Sequence, residues 1–379
     1  MQQVHIVCFD VPYPANYGGA IACFNLIKAL HKAGVGIHLH CFDYGRGKQT
    51  VLNEYCLHVY YYKRNTGLSG MSFNVPYIVH SRKSKELLER LNADNLPVIL
   101  EGIHCTYYLQ NGKLNAKRCF VRLHNVESDY YHVLAKSEPK FFKRLYYNTE
   151  SGLLKKYEAQ MKNSGAQFLA IALNDFLYFK NKLQYKNISY LPLIIDDYQP
   201  AFNESTEKFC LYHGNLCVNE NIKAVEYLAN SVFRFLPDIQ LIVAGKEPDA
   251  SVISLLAKHR NIKLIPDPTA AEMLALVKKA HINISYSVNK TGIKLKLVES
   301  LFNGNFCVTN SLTVKGTELE PYCIITDDAG HFTDTVRYLM QKPFTRYAYD
   351  KRIKGLQEIY NNELNIYKLL RLIQTRDDN

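Results

Sequence analysis

A chain of 379 residues can hold two domains of ordinary size, and its 47% hydrophobic and 21% charged composition is a soluble globular balance rather than a disordered one. No apolar run reaches the roughly 18–20 residues of a membrane span, and the opening MQQVHIVCFDVPYP lacks the basic and apolar regions of a signal peptide, so a cytoplasmic protein is expected. A formal net charge of +11 favours anionic partners, namely nucleotide diphosphates, anionic lipid surfaces or nucleic acid, without choosing among them.

In chain order, the apolar run Val4–Phe9 predicts a strand, Val11–Gly19 a Pro/Gly loop, and Ala20–Ala33 an amphipathic helix. Further strands are expected at Ile37–Phe42, His58–Tyr62, Val98–Leu100, Arg118–Arg122 and Phe168–Ala172. Within this half, Lys136–Lys162 carries seven Lys/Arg against three Glu, interleaved with Phe, Tyr and Leu. It reads either as a surface helix with snorkelling lysines or as a weak contact with an anionic membrane surface, at the inner face of the membrane.

A Pro- and Asp-rich break at Pro192–Phe202 marks a linker, after which the pattern restarts. Strands are expected at Phe209–His213, Gln240–Ala244, Ile262–Leu264, Asn283–Tyr286 and Phe306–Thr309. Helices fall at about Asn221–Phe235, Ala250–His259, Ala270–Lys279 and Ile293–Asn303. Strands alternating with helices imply parallel βαβ units. The expected fold class is α/β, with two doubly wound parallel-sheet (Rossmann-like) domains facing across a cleft. Residues 1–195 would form the first, with C-terminal helices at about 343–379 packing back on it, and 200–342 the second. Ten cysteines stand singly with no CxxC pair, so reduced, buried thiols are predicted and no metal site.

Chemistry-bearing residues follow the strands. Gly18 and Gly19 precede the first helix, where backbone can approach a ligand; a tight βα turn is the plain alternative. His124, Asn125 and Glu127 come directly after a strand, at its carboxyl end. His124 there can polarise a hydroxyl or hold a reacting sugar, or be a structural histidine bonded to a loop carbonyl. Gly214 and Asn215 after one strand and Lys246 after the next supply further loops. The run from Lys290 to Asn305 sets Ile293, Leu297, Val298, Leu301 and Phe302 on an apolar stripe, with Lys296, Glu299 and Asn303 opposite. That polar face could simply be solvated. Thr291 and Gly292 at the helix start, with Lys294 bent toward it, could instead hold a diphosphate, while Glu299 takes sugar hydroxyls.

HGNLCVNENIKAVEYL, IVAGKEP and TGIKLKLVESLFNGNFCVTN, in this order and spacing, resemble the donor-binding domain of glycosyltransferase family 4. NYGGA and RLHNVESDYYHVLA in the first half resemble the same family, so the likeness covers nearly the whole chain. It implies a GT-B fold and a retaining, metal-independent glycosyltransferase without cofactor. A sugar would pass from a GDP- or UDP-sugar to a glycan or lipid-linked acceptor, as in cell-surface polysaccharide or glycoconjugate synthesis. The resemblance implies donor diphosphate near Gly18, Gly19, Gly214, Asn215, Lys246 and the Thr291–Gly292–Ile293 turn, with Lys294 and Lys296 acting on its charge. Glu299 would hold the nucleotide ribose, His124 would lie beside the transferring sugar, and Asn16, Tyr17, Asn125 and Glu127 would be on the acceptor side. The sequence departs from the family pattern at Thr291, where many members carry Glu, and between Asn215 and Asn221, where a basic pair is usual and none occurs.

Two other readings compete. A nucleotide-sugar 2-epimerase shares the fold but needs more cleft carboxylates than HNVE provides. A nucleic-acid-binding protein could use the 28 Tyr and 46 Lys/Arg, but these are spread along the chain without an RRM, KH or helix-turn-helix signature. No nucleic-acid partner is therefore expected.

Overall fold

The computed structural model describes residues 2–203, 207–288 and 292–377. The chain forms two compact units: Met1–Asp196 together with Tyr360–Asn379, and Asp197–Ile359.

Among the described residues the first unit holds a seven-stranded parallel sheet. Its strands are β1 (Gln3–Cys8), β2 (Gly36–Asp43), β3 (His58–Lys63), β4 (Val98–Glu101), β5 (Cys119–Leu123), β6 (Gln167–Ala170) and β7 (Ile188–Tyr190). They run in the order β3-β2-β1-β4-β5-β6-β7, all parallel. Helices cover both faces, which is why these strands read as continuous apolar runs rather than alternating ones. Val7, Phe42, Leu100, Val121 and Phe168 fill one side. On the other, Ile6, Leu39, Ile99, Phe120 and Leu169 meet Leu26, Ile27 and Leu30 of helix Gly18–Lys32.

The same core takes in Ile366, Leu369 and Ile373 of the last helix, Asn362–Asp377. Asn362 pins that helix: its Oδ1 accepts from the Ile195 N–H at 3.1 Å and its Nδ2 donates to the Ile195 carbonyl at 2.9 Å. The return to the first unit is therefore narrower than the expected 343–379. Helix Arg346–Ile359 belongs to the second unit, where Tyr349 and Leu356 are buried and Arg352 donates to the Gly304 and Asn305 carbonyls.

The second unit holds six parallel strands among the described residues: β8 (Glu207–His213), β9 (Gln240–Gly245), β10 (Ile262–Pro266), β11 (Ala280–Ser285), β12 (Phe306–Thr309) and β13 (Ile324–Ile325). Their order is β10-β9-β8-β11-β12-β13. Tyr212, Val243, Ile284 and Val308 pack with Leu228, Phe233 and Phe332 on one face, and Leu211, Ala244 and Val277 lie on the other. Two doubly wound α/β units are thus present. The short strands β7 and β13, of three and two residues, are the ones the sequence pattern does not announce.

Three local expectations change. The basic stretch 136–162 is two helices, Glu127–Ser137 and Phe141–Met161, separated where Pro139 removes a donor. The helix expected at Asn221–Phe235 runs Asn219–Tyr227, then passes through a π turn at Leu228–Val232 and a 3-10 turn at Phe233–Phe235. All ten cysteines are free, but Cys217 is exposed and Cys56 and Cys323 are half-buried. No helix among the described residues is long and apolar enough to cross a membrane.

Candidate functional site

Each sheet reverses its strand order once, at β1/β4 in the first unit and at β8/β11 in the second. Beyond the carboxyl ends of strands flanking such a point, the loops diverge and leave room for a ligand. The predicted site residues occupy the loops after those strands and their immediate neighbours.

In the first unit β4 ends in Glu101, and β5 carries Arg122 directly opposite it in register. Side chains alternate along a strand. Ile99 and Phe120, two positions earlier, face the helix Gly18–Lys32, and so do Glu101 and Arg122. Both are wholly buried, with Arg122 Nη1 2.6 Å from Glu101 Oε1. The second oxygen, Oε2, lies 2.6 Å from His124 Nε2 and accepts from Cys23 Sγ at 3.5 Å. Burial works against the carboxylate charge, yet Arg122 and His124 outweigh it and hold Glu101 down to about 2. Phe9 meets the His124 ring edge-on, with centroids 5.4 Å apart. His124 therefore bonds a carboxylate, not the loop carbonyl of the plain alternative. Cys23, Glu101 and His124 bring ligand-type atoms within 4.8 Å of one another, although Arg122 already neutralises the only carboxylate among them.

Around that centre the expected acceptor-side residues are less open than the pattern implied. Glu127 is buried, with Asn125 Nδ2 3.4 Å from its Oε1, and burial reinforced by Glu158 pushes it up to about 8. Glu158 itself serves the start of helix Glu127–Ser137, accepting from the Ser128 N–H at 3.3 Å and from Ser128 Oγ at 2.5 Å. Asn16 Oδ1 accepts from Arg46 Nη1 at 3.0 Å, and the Tyr17 hydroxyl donates to Asp10 at 2.8 Å. Gly18 is exposed at the helix start. A Cβ on Gly19 would lie 2.7 Å from the Phe9 ring, so packing already requires a glycine there.

In the second unit Gly214 and Asn215 follow β8, Lys246 follows β9, and helix Leu295–Asn303 comes after β11. A Cβ on Gly245 would fall 1.7 Å from the Gly214 carbonyl oxygen, so this glycine lets the two loops pack backbone to backbone. Lys246 is exposed, and its carbonyl accepts from the Leu216 N–H at 2.8 Å. The helix begins at Leu295, with Lys294 extended at the cap and Gly292, at φ +63°, in the turn with Ile293; Thr291 lies outside the described residues.

The two lysines have partners that sequence reasoning missed. Lys294 Nζ is 3.2 Å from Glu220 Oε1, which also accepts from Ser287 Oγ. Lys296 Nζ is 3.1 Å from both the Tyr212 hydroxyl and Asn221 Oδ1, and lies over the Tyr212 ring at 4.4 Å. Desolvation lowers Lys296 to about 8, against the pull of Glu220. Burial, with Lys296 near, holds His213 down to about 3 and hence neutral. Lys296 is thus not on a solvated face, and Asn303, expected beside it, is buried with its Nδ2 donating to the Glu299 carbonyl at 3.1 Å. That bond satisfies the amide and permits its burial.

No protein-family profile matches the sequence. An uncharacterized 44.6 kDa protein in the cps region of Klebsiella pneumoniae is 27% identical over 389 residues, covering 96% of this chain and 94% of that protein. Among solved structures, TarM of S. aureus, crystallised as a mutant with fondaparinux, alpha-GlcNAc-glycerol and UDP, matches with a TM-score of 0.67 at 12% identity, covering 98% and 100% of the two chains. Sucrose-phosphate synthase of Thermosynechococcus elongatus matches at 0.69 and 13% identity, over 99% and 100%. The chain therefore has the two-unit α/β architecture of GT-B glycosyltransferases.

Proposed function

We propose that this chain is a retaining glycosyltransferase of the family 4 kind, moving a sugar from a nucleotide-sugar donor to a glycan or lipid-linked acceptor in cell-surface polysaccharide synthesis. The observation that carries this reading is the arrangement in the second unit. Gly214–Asn215, Lys246 and the Lys294–Lys296 turn follow β8, β9 and β11, which are adjacent in the sheet at its reversal point. Such a place suits a diphosphate: N–H groups at a helix start, two nearby ammonium groups and no bulky side chain on the glycine loops. A relative from a cps, or capsule polysaccharide, region and a structural neighbour crystallised with UDP point the same way.

In this reading Glu220 is the resting partner of Lys294, and a donor phosphate competes for that ammonium. Lys296, partly desolvated against Tyr212 and Asn221, gains charge stabilisation when phosphate arrives. His124 acts at the reacting groups from the first unit. As the glycosidic bond breaks, the leaving diphosphate accumulates charge, which the lysines and helix start stabilise, and it assists removal of the acceptor proton. No metal is needed for this. The exposed Phe141, Phe142 and Leu145, beside Lys140, Lys143 and Arg144, provide a weak contact with anionic membrane surface where a lipid-linked acceptor resides.

The deciding experiment is calorimetric titration of the full chain with UDP, GDP and their sugars in EDTA, followed by turnover with and without acceptor. Metal-free nucleotide binding and acceptor-dependent donor consumption are expected. Binding that vanishes in EDTA and returns with manganese would overturn the metal-independent assignment. Donor turnover to an isomeric nucleotide sugar without acceptor would favour the epimerase.

A further inference from the structure

The series Arg122–Glu101–His124 crosses the end of the first sheet, with Arg122 and Glu101 wholly buried and the His124 side chain 8% exposed. An arginine guanidinium stays protonated in proteins, and a wholly buried charge needs a counter-charge. Glu101, 2.6 Å from Arg122 and buried with it, is that counter-charge and is ionised. An ionised carboxylate only accepts hydrogen bonds. Its Oε1 accepts from Arg122 Nη1, and its Oε2 faces both His124 Nε2 and the Cys23 thiol. Nε2 must therefore carry a hydrogen. In the neutral ring the lone pair then resides on Nδ1, and among the described residues the ring's only hydrogen bond is the one through Nε2.

We propose that Glu101 is a positioning residue: anchored by Arg122, it fixes His124 in the Nε2–H form and presents Nδ1 as a hydrogen-bond acceptor for a substrate hydroxyl. This rests on the transferase reading for the identity of the substrate, but the ring state is a property of the resting protein. Three features make the arrangement specific. Glu101 and Arg122 are register partners on adjacent strands, so backbone pairing sets their separation. Phe9 bounds the imidazole edge-on and itself packs at a tilt against His104, centroids 4.9 Å apart, which limits rotation of the ring. Other titratable groups near the dyad are Cys23 and Cys8, buried thiols pushed upward, and His104, held neutral by burial and by Arg82. None of these offers a second anion to compete for Nε2.

The test uses the full chain labelled with nitrogen-15, with the His124 ring resonances assigned by their loss in His124→Ala. Nε2 is expected to show a bonded hydrogen and Nδ1 the shift of an unprotonated nitrogen. In Glu101→Gln the amide carbonyl stays with Arg122, so the amide NH₂ meets Nε2 and the ring should switch to Nδ1–H. Acceptor-dependent kcat should then fall about a hundredfold or more, with nucleotide affinity as in the parent. An Nδ1–H ring in the parent overturns the proposal, as does a Glu101→Gln ring that keeps its state, or parental kcat in that variant. Should Glu101→Gln fail to fold, the parent spectrum alone decides. If the parent transfers no sugar from any donor, the transferase reading fails, while the ring spectra still decide what Glu101 does to His124.

Discussion

Two residues can be tested singly with opposite expected signatures. His124 touches the first unit's buried ion pair, whereas the lysines assigned to the diphosphate belong to the second unit. His124→Ala should lower kcat and kcat/KM together by roughly 10²–10⁴, with UDP or GDP affinity as in the parent. Parental kinetics would reduce His124 to a structural role. Glu299, on helix Leu295–Asn303, is expected to do the reverse. Replacing a charged acceptor of ribose hydroxyls costs roughly 1.5–3 kcal/mol, so Glu299→Gln should weaken nucleotide binding about ten- to a hundredfold. Equal affinity and equal melting temperature would remove Glu299 from the donor site. His124 was legible because a histidine directly after a buried strand stands at the sheet's carboxyl edge. Its partner was not, since Glu101 lies 23 residues away and only the β4–β5 register brings them together. A charged residue inside the apolar run Cys119–Leu123 was the available hint.

At the scale of elements, helices Glu127–Ser137 and Phe141–Met161 close over three buried acids. Burial raises Glu127 to about 8, Glu158 to about 7 and Asp175 to about 7, against ordinary values of 4.5, 4.5 and 3.8. Between the ordinary and the raised values the folded chain holds protons that the unfolded chain has released, so stability declines as pH rises through that window. Glu101 works the other way, its contribution being lost only as pH falls below about 4.5 toward 2. The melting temperature should therefore drop from about pH 6 to about pH 8.5, and Glu127→Gln should flatten the drop. Equal slopes for parent and variant would mean Glu127 ionises normally. The second of these helices carries Phe141, Phe142 and Leu145 on its exposed first turns among basic residues. Replacing both phenylalanines by serine should weaken sedimentation with anionic vesicles at low salt, the retained basic residues still being worth on the order of 1 kcal/mol each there. Sedimentation indifferent to lipid charge would exclude the contact. Long elements with a clear period were legible within about three residues; strands of two or three residues, and a helix passing into a π turn, carry too little pattern to be read.

For the whole molecule, the division into two doubly wound units followed from alternating strands and helices, and the break near Pro192–Phe202 brackets the observed boundary after Asp196. Where the chain returns to the first unit was misjudged, because amphipathic helices do not say which core they will meet. The structure gives that helix a core: Ile366, Leu369 and Ile373 are almost fully buried against residues of β1, β2 and helix Gly18–Lys32. Leu369→Ala should then cost about 2–5 kcal/mol and lower the unfolding transition of the first unit, ten residues from the far end of the sequence. A transition unchanged in that variant would show the helix to be dispensable.

That returning helix also sets an order of events during synthesis. The first unit is complete only when residues Tyr360–Asn379 have left the ribosome, although its sheet is made from the first half of the message. At about 5–20 residues per second, roughly 10–40 s separate translation of its last strand from arrival of its closing helix. Through that interval the apolar surface around Leu26, Leu30 and Ile37 waits uncovered, while Asp197–Ile359 can fold as soon as it emerges. A released chain truncated before Tyr360 would be expected to expose a protease-sensitive amino-terminal half joined to a resistant second unit.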